Sequence, residues 1–121
     1  MKIAVFGLGY VGTVSTACLA RAGHTVIGVD IHPWKIEAVN NGNSPVREPG
    51  VKELLAKAVE DGRVWATNDG LAAVGEADAS LVCVGTPSRQ DGSIDTKAIA
   101  RVIDTIGRGI GARKERHVVL M

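Results

Sequence analysis

The chain has 121 residues, the size of one domain, with 45% hydrophobic and 22% charged residues, so disordered, collagen-like and coiled-coil classes are excluded. A formal net charge of +1, from 14 basic and 13 acidic side chains, gives no electrostatic reason to expect a nucleic acid or membrane partner. The two cysteines, Cys18 and Cys83, lack CxxC or histidine-pair spacing, which argues against a zinc site or a disulfide framework and for a reducing compartment.

In chain order, apolar strand-like runs alternate with helical patterns. Strands are expected at Lys2 to Phe6, Thr25 to Asp30, Arg63 to Thr67, Ser80 to Gly85 and His117 to Met121. The first run breaks into glycine too soon for a signal peptide, and no run reaches transmembrane length, so a cytoplasmic protein is expected. Helices are expected at Tyr10 to Ala22, Trp34 to Asn41, Val51 to Val59, Asp69 to Ala77 and Thr96 to Ile110. In the last of these Ile99, Val102, Ile103, Ile106 and Ile110 share one helical face, with Asp95 as N-cap. Glu48-Pro49-Gly50 reads as the start of the third helix, with Pro49 in its first turn and the carboxylate near the positive end of the dipole.

Strict alternation of strand and helix means βαβ units, hence a doubly wound parallel α/β sheet of the Rossmann type with helices on both faces and strand order 3-2-1-4-5. The turn-rich stretch NNGNSPVREPG elaborates the second crossover. The final strand, His117 to Met121, forms a short apolar sheet edge that invites self-pairing, so a homo-oligomer is expected.

Gly7-Leu8-Gly9-Tyr10-Val11-Gly12 is a GxGxxG between a strand and a helix. In dinucleotide binding Gly7 permits the tight turn, Gly9 admits a pyrophosphate to the backbone, and Gly12 allows close helix packing. The amides of Leu8, Tyr10 and Val11 would meet the anion at the helix N-terminus. Such a glycine turn also serves packing alone, so context decides. Asp30 ends the second strand 18 residues after Gly12, where a carboxylate reads the ribose hydroxyls and repels a 2′-phosphate. No arginine lies within the next sixteen residues, which favours NAD over NADP, while Lys35 in the next helical turn could reach the same ribose. The loop Val84-Gly85-Thr86-Pro87-Ser88 follows the fourth strand, which neighbours the first, so Thr86 borders the same crevice. His24, His32 and His117 have no metal-ligand spacing, and Cys18 and Cys83 sit on elements expected to face the core; no metal site or nucleophile is assigned.

Five segments, FGLGYVG, GHTVIGVD, Lys35, NSPVREPGVKELL and CVGTPSRQDGSID, resemble the N-terminal domain of the UDP-glucose/GDP-mannose dehydrogenase family over essentially the whole chain. Their wording is nearer the branch acting on GDP-mannose than the branch acting on UDP-glucose. The resemblance implies an NAD-dependent oxidation of a nucleotide sugar's C6 alcohol to a carboxylate in two steps, through a cysteine thiohemiacetal. It makes Tyr10, Val11, Asp30, Lys35 and Thr86 cofactor contacts. It also implies that the catalytic cysteine and lysine, the rest of the NAD site and the sugar-nucleotide domain lie in sequence beyond Met121. Residues 1–121 are therefore expected to be the NAD-binding domain alone, with no catalytic residue and no turnover. The other readings are a non-catalytic NAD(H)-binding module and a methyltransferase binding S-adenosylmethionine; the latter leaves Lys35 and the VGTPS loop without a role.

Overall fold

The computed structural model describes residues 1–113 and 115–121. Among them the elements run β1 (Lys2–Phe6), α1 (Tyr10–Arg21), β2 (Thr25–Val29), α2 (Pro33–Asn40), α3 (Val51–Glu60), β3 (Val64–Thr67), α4 (Gly70–Glu76), β4 (Ala79–Val82), α5 (Lys97–Gly111) and β5 (Val118–Leu120). All pairings within the sheet are parallel and its order is β3-β2-β1-β4-β5, as the βαβ alternation predicts. Observed boundaries differ from the expected ones by up to three residues. The largest difference is at β4, which ends at Val82, so Cys83 to Gly85 already belong to the loop.

Because successive strand residues point to opposite faces, the strands divide their side chains between two cores. Ile3, Val5 and Val26 pack with Ala17, Ala20, Val39, Leu55 and Ala58 of α1, α2 and α3. Ala4, Phe6, Ile27 and Val29 pack with Ala73, Val74 and Ala77 of the α4 segment and Ile106 of α5. Both faces of the inner strands are thus covered, while β5 at the edge is exposed along its length.

Two helix starts differ from expectation. Thr96 takes the N-cap position of α5, and Asp95 just before it accepts the Lys97 N–H at 3.0 Å, so the capping bond survives one residue earlier. At α3 the N-cap is Gly50 in the left-handed region, φ 85°, which leaves Pro49 and Glu48 outside the helix. The Glu48 carboxylate accepts the Tyr10 hydroxyl at 2.8 Å instead of serving the α3 dipole, tying the second crossover to the start of α1. Of α5's predicted apolar face only Ile106 is fully buried, and Ile103 is 39% exposed, because the sheet beneath runs out at β5.

The opposite edge, β3, is closed by a side chain. Asn40, at the end of α2, donates from Nδ2 to the Ala66 carbonyl at 3.0 Å and accepts the Ala66 N–H at 2.8 Å, standing in for one residue of a further strand. Replacing Asn40 by Ala removes both bonds, and a loss of about 1–2 kcal/mol in urea unfolding is expected, with Asn40→Asp, which keeps only the acceptor, in between.

Candidate functional site

The site forms where the strand order reverses. β1 and β4 are neighbours, yet their connections leave in opposite directions, so a crevice opens beyond their C-terminal ends. It encloses about 460 Å³. Its floor is Phe6, Gly7, Gly9 and Cys83 to Gly85; one wall is Val29 to His32 with Lys35; the other is Ala98, Arg101, Val102 and Thr105 of α5.

The glycine loop is shaped as its spacing predicts. Gly7 has φ +100°, a conformation L side chains rarely adopt, and its N–H reaches the Val29 carbonyl at 2.8 Å. Helix α1 runs so close to this turn that a Cβ on Gly12 would lie 1.7 Å from the Gly7 carbonyl oxygen. Gly9 is the N-cap of α1, with no side chain to satisfy the first amides and no acidic residue in the first turn, so that helix end stays open to an anion. Thr13 and Thr16, both buried, hydrogen-bond back to the Leu8 and Gly12 carbonyls and stiffen the first turns.

The Asp30 carboxylate accepts three hydrogen bonds. Its Oδ2 accepts the Leu8 N–H at 2.7 Å, and its Oδ1 accepts both the His32 N–H at 2.9 Å and the His32 ring Nδ1–H at 2.7 Å. Burial by itself would raise this carboxyl, but the Leu8 and His32 bonds and the Lys35 charge outweigh it and hold its pKa below the usual value. The Leu8 amide is therefore spent on Asp30 and is not offered to an anion, a correction to the expectation that Leu8, Tyr10 and Val11 act together. The Leu8 side chain is fully buried.

The other expected residues lie at graded distance from the crevice. Gly7, Gly9, Asp30 and Lys35 line it. Gly12 lies beneath it, against Gly7 and Cys83. Tyr10 and Val11 are exposed on the first turn of α1, and Thr86 is exposed one residue past the lining residue Gly85; these three are not in its wall. The Tyr10 hydroxyl is raised above its ordinary pKa by the Glu48 hydrogen bond first, then by partial burial and the Glu48 charge. Lys35 Nζ lies 5.6 Å from the Trp34 ring centre. Cys18 is exposed on α1, contrary to the expectation of a core position. Cys83 lies past the end of β4 and lines the crevice, where burial pushes its thiol pKa up and away from thiolate.

Sequence reading missed His32, Arg101 and Ile31. The His32 contact has a local signal, since an aspartate accepting the amide two residues on is a common turn. Arg101 has none, because it reaches the crevice from a helix 71 positions after Asp30, well beyond the sixteen residues searched for a cation. Ile31 is 79% exposed at the mouth, an apolar surface that a flat ring system would cover.

A glycine turn that no side chain could enter, an open helix N-terminus, an ionised carboxylate at the end of the second strand and a partly apolar crevice between them fit an adenine dinucleotide, and they define a dinucleotide-binding domain of the Rossmann class. The family model described as the UDP-glucose/GDP-mannose dehydrogenase family, NAD binding domain, matches residues 1–121, and the chain belongs to that family. It is 46% identical over 121 residues, all of this chain and 28% of the relative, to GDP-mannose 6-dehydrogenase of Pseudomonas aeruginosa. It is 40% identical over 113 residues, 93% of this chain and 24% of the relative, to a UDP-glucose 6-dehydrogenase of Bacillus subtilis. The crystal structure of a ternary complex of GDP-mannose dehydrogenase from Pseudomonas aeruginosa superposes with a TM-score of 0.96 over 98% of this chain and 27% of that one, at 46% identity. The chain thus spans about a quarter of the length of the relatives it matches. Among the described residues no helix is long and apolar enough to cross a membrane.

Two outcomes follow from this geometry. Gly12→Ala forces a methyl group into the Gly7 carbonyl, and a loss of about 3 kcal/mol or more is expected in urea unfolding, above the usual overpacking cost because backbone must move. Asp30, with its folded pKa depressed, stabilises the fold above its unfolded value and loses that contribution as pH falls through the folded one. Thermal unfolding between pH 6 and 2.5 is expected to show wild-type stability falling below about pH 4, with Asp30→Asn lacking that part of the decline.

Proposed function

We propose that residues 1–121 hold NAD as the cofactor domain of a nucleotide-sugar 6-dehydrogenase acting on GDP-mannose, with the sugar-nucleotide domain supplied by further sequence. The observation that carries this reading is the 46% identity to GDP-mannose 6-dehydrogenase over the whole chain, laid on a crevice whose residues fit the dinucleotide. When bound in this crevice, NAD would supply the hydride acceptor for oxidation of an alcohol. The open N-terminus of α1, through the amides of Tyr10 and Val11, offsets the pyrophosphate charge. Asp30 orients the adenosine ribose from a position fixed before binding, and Lys35 lies on the same side. Thr86, one residue past the lining residue Gly85, would contact the cofactor from the loop after β4. The Tyr10–Glu48 bond holds the start of α1 against the second crossover.

Nothing in this set breaks a bond. The Cys83 thiol is held protonated by burial, and Cys18 is on the outer face of α1, so neither supplies a nucleophile. Hydride transfer requires the alcohol carbon about 3–3.5 Å from its acceptor, and positioning is worth about 7–11 kcal/mol of barrier, which a second domain has to provide. A cytoplasmic location and a homo-oligomer belong to the same reading.

Assays with NAD+ and either GDP-mannose or UDP-glucose, following NADH, test the proposal. The 121-residue chain is expected to bind NAD without turnover, and the longer polypeptide that carries it to turn over GDP-mannose in preference to UDP-glucose. Preference for UDP-glucose reassigns the substrate. Sustained turnover by the 121-residue chain, abolished by Cys83→Ser, refutes the division of labour.

A further inference from the structure

We propose that His32 is a pH-sensitive specificity residue of this site, competing with the cofactor ribose for Asp30 and, once protonated, narrowing the preference for NAD over NADP. The inference rests on the NAD reading above.

A carboxylate offers about four lone-pair positions. In Asp30 the Leu8 amide takes one on Oδ2, while the His32 amide and ring Nδ1 take both on Oδ1. A ribose that presents its 2′- and 3′-hydroxyls to the two oxygens finds a free position on Oδ2 and none on Oδ1 until the imidazole leaves. It is free to leave, because its side chain is 52% exposed on the short connection between β2 and α2, whereas that of Asp30 is 7% exposed and fixed.

The ring's hydrogen bond sets the consequence of protonation. Donation from Nδ1 to a carboxylate places the neutral ring's single proton on Nδ1, so a second proton adds at Nε2 and turns the contact into an ion pair. Charge-assisted bonds are the stronger kind, so protonated His32 yields Asp30 less readily to NAD. The same charge stands beside the position a 2′-phosphate would take and offsets the repulsion from Asp30. The charged groups that share this crevice are Asp30 at the end of β2, Lys35 on α2 and Arg101 on α5, with neutral Asn68 after β3. Asp30 stays ionised at mildly acidic pH because its carboxyl lies below the usual range. Lysine and arginine side chains keep their charge there, and the buried Cys83 thiol stays neutral. His32 is the imidazole in the described lining, and imidazole is the side-chain class whose ordinary charge change falls between pH 5 and 8.

The 2′-phosphate of NADP itself takes up a proton near pH 6, so the wild type alone does not isolate the effect. The experiment is to titrate the full chain, its His32→Gln variant and its His32→Ala variant with NAD+ and NADP+ at about pH 8 and about pH 5.5, at constant ionic strength. Fluorescence of Trp34, two residues from His32 and 57% exposed, gives a local readout. Because His32 is exposed, the variants are expected to keep the wild-type far-UV circular dichroism. Between the two pH values the ratio of the NADP Kd to the NAD Kd is expected to fall about threefold to fivefold more in the wild type than in either variant, the range open to an exposed ion pair. At the lower pH both variants are expected to bind NAD more tightly than the wild type. Identical pH responses in all three proteins overturn the role of His32 while leaving the NAD reading intact. Failure of every protein to bind either dinucleotide at either pH overturns both.

Discussion

The hydrogen bond from the Leu8 amide to the Asp30 carboxylate, 2.7 Å long and buried, joins the two chain segments on which the crevice depends. The glycine turn is locally permissive and has no hydrophobic side chain of its own at Gly7 or Gly9 with which to hold a shape. Asp30 supplies that hold from the neighbouring strand, and the buried Leu8 side chain anchors the same residue in the core between the sheet and α1. Unpairing this amide would leave a buried donor at a cost of about 1–3 kcal/mol, so the turn is held open before any ligand arrives. The ligand then meets a carboxylate already ionised and already aimed.

That arrangement constrains what the site can recognise. A carboxylate with each oxygen committed to a backbone amide cannot rotate to follow its ligand, which favours a rigid diol over a flexible partner. The helix end beyond it is open because Gly9 cannot cap it, and the packing of Gly12 against Gly7 brings that end to within a peptide's thickness of the loop. Polar recognition is thus concentrated at two points, Asp30 and the start of α1, with apolar surface from Ile31, Ala98 and Val102 around them.

Most of the fold was legible because its signals are local. Period-two and helical patterns located the strands and helices, and βαβ handedness with the glycine motif ordered the sheet. The motif residues Gly7, Gly9, Gly12 and Asp30 were legible for the same reason, each standing at a fixed offset from a strand end. What the sequence did not display were the contacts made by distant segments. Arg101 enters the crevice from α5, and Glu48 leaves the α3 dipole for Tyr10 because Gly50 starts that helix later than Pro49 suggested. Cys18 shows the limit of helix-face reasoning: α1 is rich in small residues, Ala17 and Ala20 face the sheet, and Cys18 between them turns outward.

The two walls of the crevice are anchored unequally. The Asp30 wall belongs to β2, which is paired on both sides and buried from Val26 to Val29. The opposite wall is α5, where Ile106 and Gly109 are buried and Ile103 is half in solvent, over a sheet whose last strand is exposed. What fixes α5 to the rest is its contact with α4. Arg113, just past the end of α5, donates from Nη1 to the carbonyls of Val74, Gly75 and Ala77, so it also satisfies the end of α4. A ligand lying between Ile31 and Val102 would bridge the two walls. Its binding energy would then add to the α4–α5 contact, stabilising the folded chain by mass action as well as filling the crevice.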